Sequence, residues 1–319
     1  MKKVKFGIIG AGNIAKTFAK AVPLTNNSEI IAVASRTLEK SEQFAKDFNI
    51  QKAYGSYQDL LNDPEIDAIY VANVHSHHYE TVKMCLESNK AVLCEKPFVL
   101  TEKDCKELIE LAKEKNLLLM EAMWTRFLPS VTEAHKWIEN GEIGDVKLID
   151  ASFCFKAFYN PNSRLFNKDV AGGASYDLGV YVIEFAMDFA GADLKDNSIM
   201  TNYAETGVDD FSIMNLRFKN DVLATLKCGL TTYTENDAHV YGSEGNILFK
   251  NFHRGNKIIL RKNNGETKEF QAENVESYEG FKYEIEHFSN LYLNDEKESP
   301  RIPFKHNLET TKIFKKVAK

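Results

Sequence analysis

The sequence has no CxxC pair and no cysteine–histidine spacing suited to a metal. Its five cysteines, Cys85, Cys94, Cys105, Cys154 and Cys228, are scattered and odd in number. That excludes a disulfide framework or a zinc ribbon and fits reduced thiols in a reducing compartment. A basic surplus is also missing: 40 Lys and Arg against 46 Asp and Glu leave a formal charge of −6. The acids are spread along the chain, so they read as solubility, and a nucleic-acid partner, which asks for a basic face, is excluded. Long apolar runs are absent. The run Val4–Ile9 behind Met1-Lys2-Lys3 is too short for a signal peptide or a membrane span, and no other stretch qualifies; the expectation is a cytoplasmic protein with no membrane partner. There is no internal repeat and no low-complexity segment. What is present is ordinary globular material, 319 residues at 44% hydrophobic and 27% charged, a length that suits two domains.

Up to Met120, short apolar runs alternate with amphipathic helical patterns. Candidate strands are Val4–Ile9, Ile30–Ala34, Ala68–Val71, Ala91–Cys94 and Leu117–Met120. Helical patterns cover Ile14–Val22, Leu38–Phe48, His77–Glu87 and Glu102–Lys115. That alternation predicts an α/β Rossmann domain, a parallel sheet covered on both faces. After Trp124 the pattern changes. A helix at Ser130–Asn140 and a helical block at Ser175–Phe189 accompany Val146–Phe155 and a series of strands, Ile199–Glu205, Phe211–Phe218, Val222–Leu230, His239–Tyr241, Asn246–Lys250 and Lys257–Arg261. Consecutive strands with short polar turns predict an α+β domain with a mostly antiparallel sheet, and helices return at Phe281–Leu293 and Asn307–Val317. The expected division is a dinucleotide-binding domain over 1–122 and a substrate-binding and dimerisation domain over 123–319.

Gly10-Ala11-Gly12-Asn13-Ile14-Ala15 follows the first strand and opens the first helix, a GxGxxA form of the dinucleotide fingerprint. Gly10 permits the tight turn, Gly12 lets the backbone approach a pyrophosphate, and Ala15 keeps the helix close to the sheet. The helix start, with Asn13 and Ile14, offers free N–H groups to phosphate. The bland alternative is a glycine turn that only links strand to helix. At the end of the second strand, where an acid would select NAD through the ribose 2′-hydroxyl, stand Ser35 and Arg36; a guanidinium suits the 2′-phosphate of NADP, although it can also stack on adenine. NADP is therefore the expected cofactor, with NAD the alternative. Glu95-Lys96-Pro97 closes the strand Ala91–Cys94. Pro97 keeps Lys96 extended, with a cis peptide as a further expectation, and a lysine at the carboxyl end of a parallel strand can stabilise a developing alkoxide; a strand-ending turn with a surface lysine is the competing view. His75, His77 and His78 share one loop without a carboxylate ligand pattern, so no metal site is expected.

The glycine fingerprint, Glu95-Lys96-Pro97 and the block Gly172-Gly173-Ala174-Ser175-Tyr176-Asp177-Leu178-Gly179-Val180-Tyr181 together resemble the glucose-fructose oxidoreductase/inositol dehydrogenase (Gfo/Idh/MocA) family. The likeness runs over nearly the whole chain, including Gly280–His287. Met120–Pro129 and Asn162–Phe166 are similar to its dimeric dihydrodiol dehydrogenase and xylose dehydrogenase branch. The resemblance implies that Lys96 is the active-site lysine and that Asp177 and Tyr181 form the Asp-x-x-x-Tyr pair. Their i, i+4 spacing alone would place both on one helix face. Tyr181 would accept the proton, helped by Lys96 and the charge of the nicotinamide, and Asp177 would position a neighbouring hydroxyl. Asn73, His75, His78 and Glu95 are implied at the cofactor, and Trp124, Arg126 and Arg164 at the substrate. Two departures touch loop contacts: Asn73-Val74 stands where the family usually has Thr-Pro, and Ala171 where a third glycine is usual. The implied function is hydride transfer between NADP(H) and a sugar, polyol or cyclic diol by a homodimer or higher homo-oligomer. A non-catalytic NAD(P)-binding ligand sensor and an NAD-recycling glycoside hydrolase on the same fold are the alternatives.

Overall fold

Apolar runs bounded by glycine and polar turns become strands of a parallel sheet, because a sheet covered on both faces needs near-continuous apolar strands. In chain order these elements are β1 (Val4–Ile9), α1 (Asn13–Ala21), β2 (Ser28–Ala34), α2 (Leu38–Phe48), β3 (Lys52–Tyr54), α3 (Tyr57–Leu61), β4 (Ala68–Val71), α4 (His78–Glu87), β5 (Ala91–Glu95), α5 (Glu102–Glu114) and β6 (Leu119–Ala122). The sheet order is β3-β2-β1-β4-β5-β6, and every neighbouring pair is parallel. The strand order reverses between β1 and β4, the place where doubly wound sheets open a ligand crevice at the carboxyl ends of their strands. Side chains set the helix limits. The Thr101 hydroxyl accepts from the Asp104 amide to start α5, and Asn49 in a left-handed conformation ends α2, both familiar terminators. The short strand β3 was not foreseen in the sequence.

This is a computed structural model that describes residues 2–272 and 278–317. The chain clusters into two units, Met1–Trp124 with Glu276–Asn307, and Thr125–Val275 with Leu308–Lys319. The second unit holds α6 (Pro129–Glu139), β7 (Val146–Cys154), a π-helical turn at Ser175–Gly179 that runs into α7 (Val180–Ala190), then β8 (Leu194–Tyr203), β9 (Asp209–Phe218), β10 (Leu223–Gly229), β11 (Ala238–Gly242), β12 (Gly245–Lys250), β13 (Lys257–Lys262) and β14 (Thr267–Gln271). Its sheet runs β14-β13-β12-β11-β7-β10-β9-β8. Pairing is antiparallel except between β7 and β10. Alternation puts Ile149, Ala151, Met214, Leu226 and Val240 inside. Helix α7 covers that face, with the Phe185 ring 5.0 Å and the Phe189 ring 5.5 Å from Phe249. Leu148, Met200 and Leu223 are exposed.

The chain then returns to the first unit. Helix α8 (Phe281–Leu293) is followed by α9 (Phe304–Val317). Phe288 of α8 lies 5.6 Å from Phe6, which in turn meets Phe18 at 5.4 Å. Ser289 shares a 2.8 Å hydrogen bond with Ser28, and the Asn27 amide donates to the Glu286 carbonyl at 3.0 Å. Residues 276–307, which chain order places with the substrate half, therefore cluster with the parallel sheet.

Candidate active site

In the first unit the site begins where β1 ends. Gly10 turns at φ 102°. A Cβ there would stand 2.8 Å from the Ala72 carbonyl carbon and oxygen, so only glycine fits. At Gly12 a Cβ would meet nothing nearer than the Ala72 oxygen at 4.0 Å. The protein itself therefore leaves room beside the Gly12 backbone. Gly12 caps α1 without a side-chain hydrogen bond, and the first turn carries no acid. Its leading N–H groups, at Asn13 and Ile14, are thus free to meet a phosphate. Ala15 is fully buried, which lets α1 lie close on the sheet. Beyond β4, the Asn73 side-chain nitrogen donates to the Thr81 hydroxyl at 2.7 Å while its buried oxygen makes no hydrogen bond. A glycine cradle, an uncapped helix start and an orphaned amide oxygen fit a dinucleotide.

The other expected cofactor residues divide. Arg36 is exposed at the end of β2, free to face a 2′-phosphate. Ser35 instead is buried; its hydroxyl donates to the Thr37 carbonyl at 2.7 Å and accepts from Ser41 at 3.0 Å, closing the turn into α2. His75 packs edge-on against His78 at 5.8 Å. His78 is fully buried, with Nδ1 2.8 Å from the Pro97 carbonyl and Nε2 3.3 Å from the Asn73 carbonyl. Burial pushes its pKa below the usual histidine value despite those two carbonyls. A neutral ring carries a single N–H, and the shorter contact assigns it to Nδ1, donating to Pro97. His78 therefore ties the loop after β4 to the lysine turn rather than reaching outward.

Lys96 leaves the carboxyl end of β5, half-buried, and the Lys96–Pro97 peptide is cis, as expected. Strand registers align Ile9 with Val71 and Val71 with Cys94, so the lysine starts roughly two strand spacings, ~10 Å, from the glycine turn. Glu95 is 5% exposed; one oxygen accepts from the Tyr70 hydroxyl and the other from the Lys96 amide at 3.2 Å. Burial drives its pKa up to about 7, against the opposing pull of Tyr70 and Lys96. Glu95 was expected at the cofactor, yet both its oxygens are engaged inside the unit. Trp124, just after β6, stacks on Phe281 at 5.2 Å. The sequence reading missed two acids here, Glu121 and Glu284, both essentially buried. The signal was available: Glu121 is a lone carboxylate in the otherwise apolar Leu119–Ala122, and Glu284 stands between Tyr283 and Ile285.

In the second unit, Asp177 sits in the π-helical turn and Tyr181 in the first turn of α7. Such widened turns recur at functional sites. Tyr181 meets Phe153 edge-on at 5.4 Å, and Phe153 stacks on His253 at 4.0 Å. Arg164 makes a two-pronged contact with Asp177, 3.2 Å on each side, so two expected site residues are brought together. Gly173 adopts φ 129°, and a Cβ would lie 2.3 Å from an Asp209 carboxylate oxygen, so this glycine lets Asp209 reach the Ser175 amide at 2.7 Å. Arg126, expected on the substrate wall, is 5% exposed; it bonds Glu184 at 3.2 Å and Asp188 at 2.9 Å. The long arginine is drawn inward by two carboxylates of α7. Among the described residues, no cluster of His, Cys, Asp and Glu could hold a metal ion. All five cysteines are buried and unpaired, and no described helix is long and apolar enough to cross a membrane.

Residues 4–123 match the model of an oxidoreductase family with an NAD-binding Rossmann fold, and residues 131–248 match the GFO/IDH/MocA C-terminal domain. The chain is 32% identical over 325 residues to mouse trans-1,2-dihydrobenzene-1,2-diol dehydrogenase, covering 99% of this chain and 96% of that one. The Xenopus tropicalis protein of the same name is 36% identical over 307 residues, 93% and 91% of the two chains. Among solved structures, a levoglucosan dehydrogenase in complex with NADH superposes with a TM-score of 0.90 at 20% identity over 99% and 96% of the chains, a likeness of fold. A 3-ketoreductase from Actinomadura kijaniata, in complex with NADP and TDP-benzene, gives 0.86 at 25% identity over 99% and 97%.

Proposed function

The chain belongs to the Gfo/Idh/MocA family of NAD(P)-dependent oxidoreductases, and we propose that it oxidises or reduces a sugar, polyol or cyclic diol with NADP(H) as the preferred cofactor. The observation that carries this is the placement of Lys96 at the carboxyl end of β5, on the sheet edge that also bears the Gly10–Gly12 turn. A bound nicotinamide would accept or supply the hydride. The Gly10–Gly12 backbone and the start of α1 would hold the pyrophosphate, and exposed Arg36 the 2′-phosphate. Tyr181 takes the hydroxyl proton, Lys96 stabilises the developing alkoxide, and Asp177 orients a neighbouring hydroxyl, with Arg164 holding the Asp177 carboxylate meanwhile. Orientation accounts for most of the acceleration in this scheme. The names of the similar diol dehydrogenases and of the ketoreductase support a hydroxyl-bearing ring as substrate.

A cytoplasmic location and a homodimer or higher homo-oligomer belong to the same proposal. The exposed Leu148, Met200 and Leu223 support the assembly, and sedimentation tests it. The function is tested by following reduced-nicotinamide absorbance with NADP⁺ and NAD⁺ against aldoses, inositols and vicinal diols. Tight NADPH binding without turnover of any of them would identify a ligand sensor. Release of p-nitrophenol from glycosides without net NADPH would identify a cofactor-recycling hydrolase.

A further inference from the structure

We propose that Glu121 is a positioning residue for Lys96, clamping from behind the turn from which the lysine projects. The inference rests on the role given to Lys96 above. The segment Glu95–Phe98 has two inner N–H groups, those of Lys96 and Phe98, because Pro97 has none. The Lys96 amide is taken by Glu95 at 3.2 Å, and the Phe98 amide by Glu121 at 2.8 Å. The Pro97 carbonyl between them accepts from His78 at 2.8 Å. The peptide groups around the lysine are thus tied on both sides, two of the three ties being carboxylates.

Glu121 is the tie that comes from another strand. It stands on β6, 2% exposed, and its second oxygen accepts from the Asn307 side-chain amide at 2.6 Å. Two N–H donors on one buried carboxylate suit its ionised form, and charge-assisted bonds of this kind are stronger than neutral ones. Glu284, close by on α8, receives no hydrogen bond on either oxygen. Three acids sharing one buried region cannot all be charged, and the unpartnered one is the one to stay neutral. Glu284 thereby takes the neutral role, which lets Glu121 meet its two donors as a carboxylate. A lysine displaced by 1 Å loses alignment with a reacting hydroxyl, a loss of order 10²-fold. A role in holding the fold alone would not single out Lys96.

The test uses the full chain with NADPH bound. Lysines are reductively methylated with ¹³C, and the Lys96 signal is identified by its loss in Lys96→Arg. In Glu121→Gln the Lys96 line should narrow about twofold toward the width of exposed lysines as the side chain gains motion, with a smaller narrowing in Asn307→Ala. NADPH affinity should stay within about threefold. Glu284→Gln, which keeps both ties to the turn, should leave the line unchanged. An unaltered line in Glu121→Gln, or equal narrowing in Glu284→Gln, would overturn the proposal. If Glu121→Gln does not fold, the Asn307→Ala line decides in the same way. In turnover of trans-1,2-dihydrobenzene-1,2-diol with NADP⁺, kcat should fall about 10- to 100-fold with KM little changed. A wild-type protein inactive on this and every screened alcohol would sink the functional reading, while the line width would still decide the clamp.

Discussion

Replacing Glu284 by Gln should stabilise the protein increasingly as pH rises. The side chain is fully buried, neither oxygen has a hydrogen-bond partner, and Glu95 and Glu121 lie close enough to add repulsion. Burial first, and then those two acids, raise its pKa well above the ordinary glutamate value. The sign is the reverse of a salt-bridged carboxylate. The folded chain keeps a proton that the unfolded chain releases above its ordinary pKa, so the stabilising difference is full below that pKa and is lost as pH climbs toward the folded value. Each pH unit in that window costs about 1.4 kcal/mol. Gln titrates in neither state, and an unpartnered buried amide carries a penalty of its own that does not change with pH. Between pH 5.5 and 7.5 the variant should therefore gain on wild type steadily, by on the order of 1 kcal/mol per pH unit for as long as the folded carboxyl keeps its proton. For a unit of this size that is a few degrees in Tm per pH unit. Urea unfolding of both proteins at several pH values measures it. Curves that stay parallel within about 0.5 kcal/mol across this range would mean that Glu284 is ionised in the fold, and would refute the charge assignment behind the buried cluster.

Tyr181→Phe should bind NADPH almost as wild type does and lower kcat by about 10²–10⁴; turnover within a few-fold of wild type would show that Tyr181 merely packs on Phe153. Arg36→Ala should weaken NADPH by roughly 10- to 100-fold and leave NADH nearly untouched, an effect that shrinks in salt because the residue is exposed. Equal losses for the two cofactors, by titration, would reduce Arg36 to an adenine contact. Arg126→Met takes the guanidinium away from buried Glu184 and Asp188, which keep their contacts with Thr310 and His135, and should cost about 3–5 kcal/mol of stability. A raised KM with an unchanged Tm would instead return Arg126 to the substrate wall.

Local chemistry fixed much of this molecule in a way the chain spells out. Val4–Ile9 is apolar and bounded by Gly10, so β1, its turn and α1 follow from the residues alone. The ends of β4 and β5 are legible for the same reason, as is Lys96 at a strand terminus. β3 and β14 escaped because they are short edge strands whose residues, Lys52–Tyr54 and Thr267–Gln271, are half-exposed or polar, and an edge strand needs little apolar content. Turn geometry was legible where glycine freedom carries it, as at Gly10, whereas the i, i+4 spacing of Asp177 and Tyr181 runs from a π-helical turn into α7, which spacing alone does not foretell. The protein partners of polar side chains were not legible. Ser35, His78, Glu95 and Arg126 look like ligand-facing groups in one dimension, and each is engaged within its own unit.

The sequence by itself determined the elements, their order and the glycine turn, since periodicity and backbone freedom act over a few residues. Only the tertiary structure decided that α8 clusters with β1 through Phe288 and Phe6, and that Glu121 holds both the Phe98 amide and Asn307. An amphipathic helix declares which face it will bury but not against what. A buried carboxylate declares that it needs donors, and those come from segments as far as 186 residues away in the chain. Such choices belong to the whole fold, because the cost of an unpaired buried group is set by whatever the rest of the chain brings beside it.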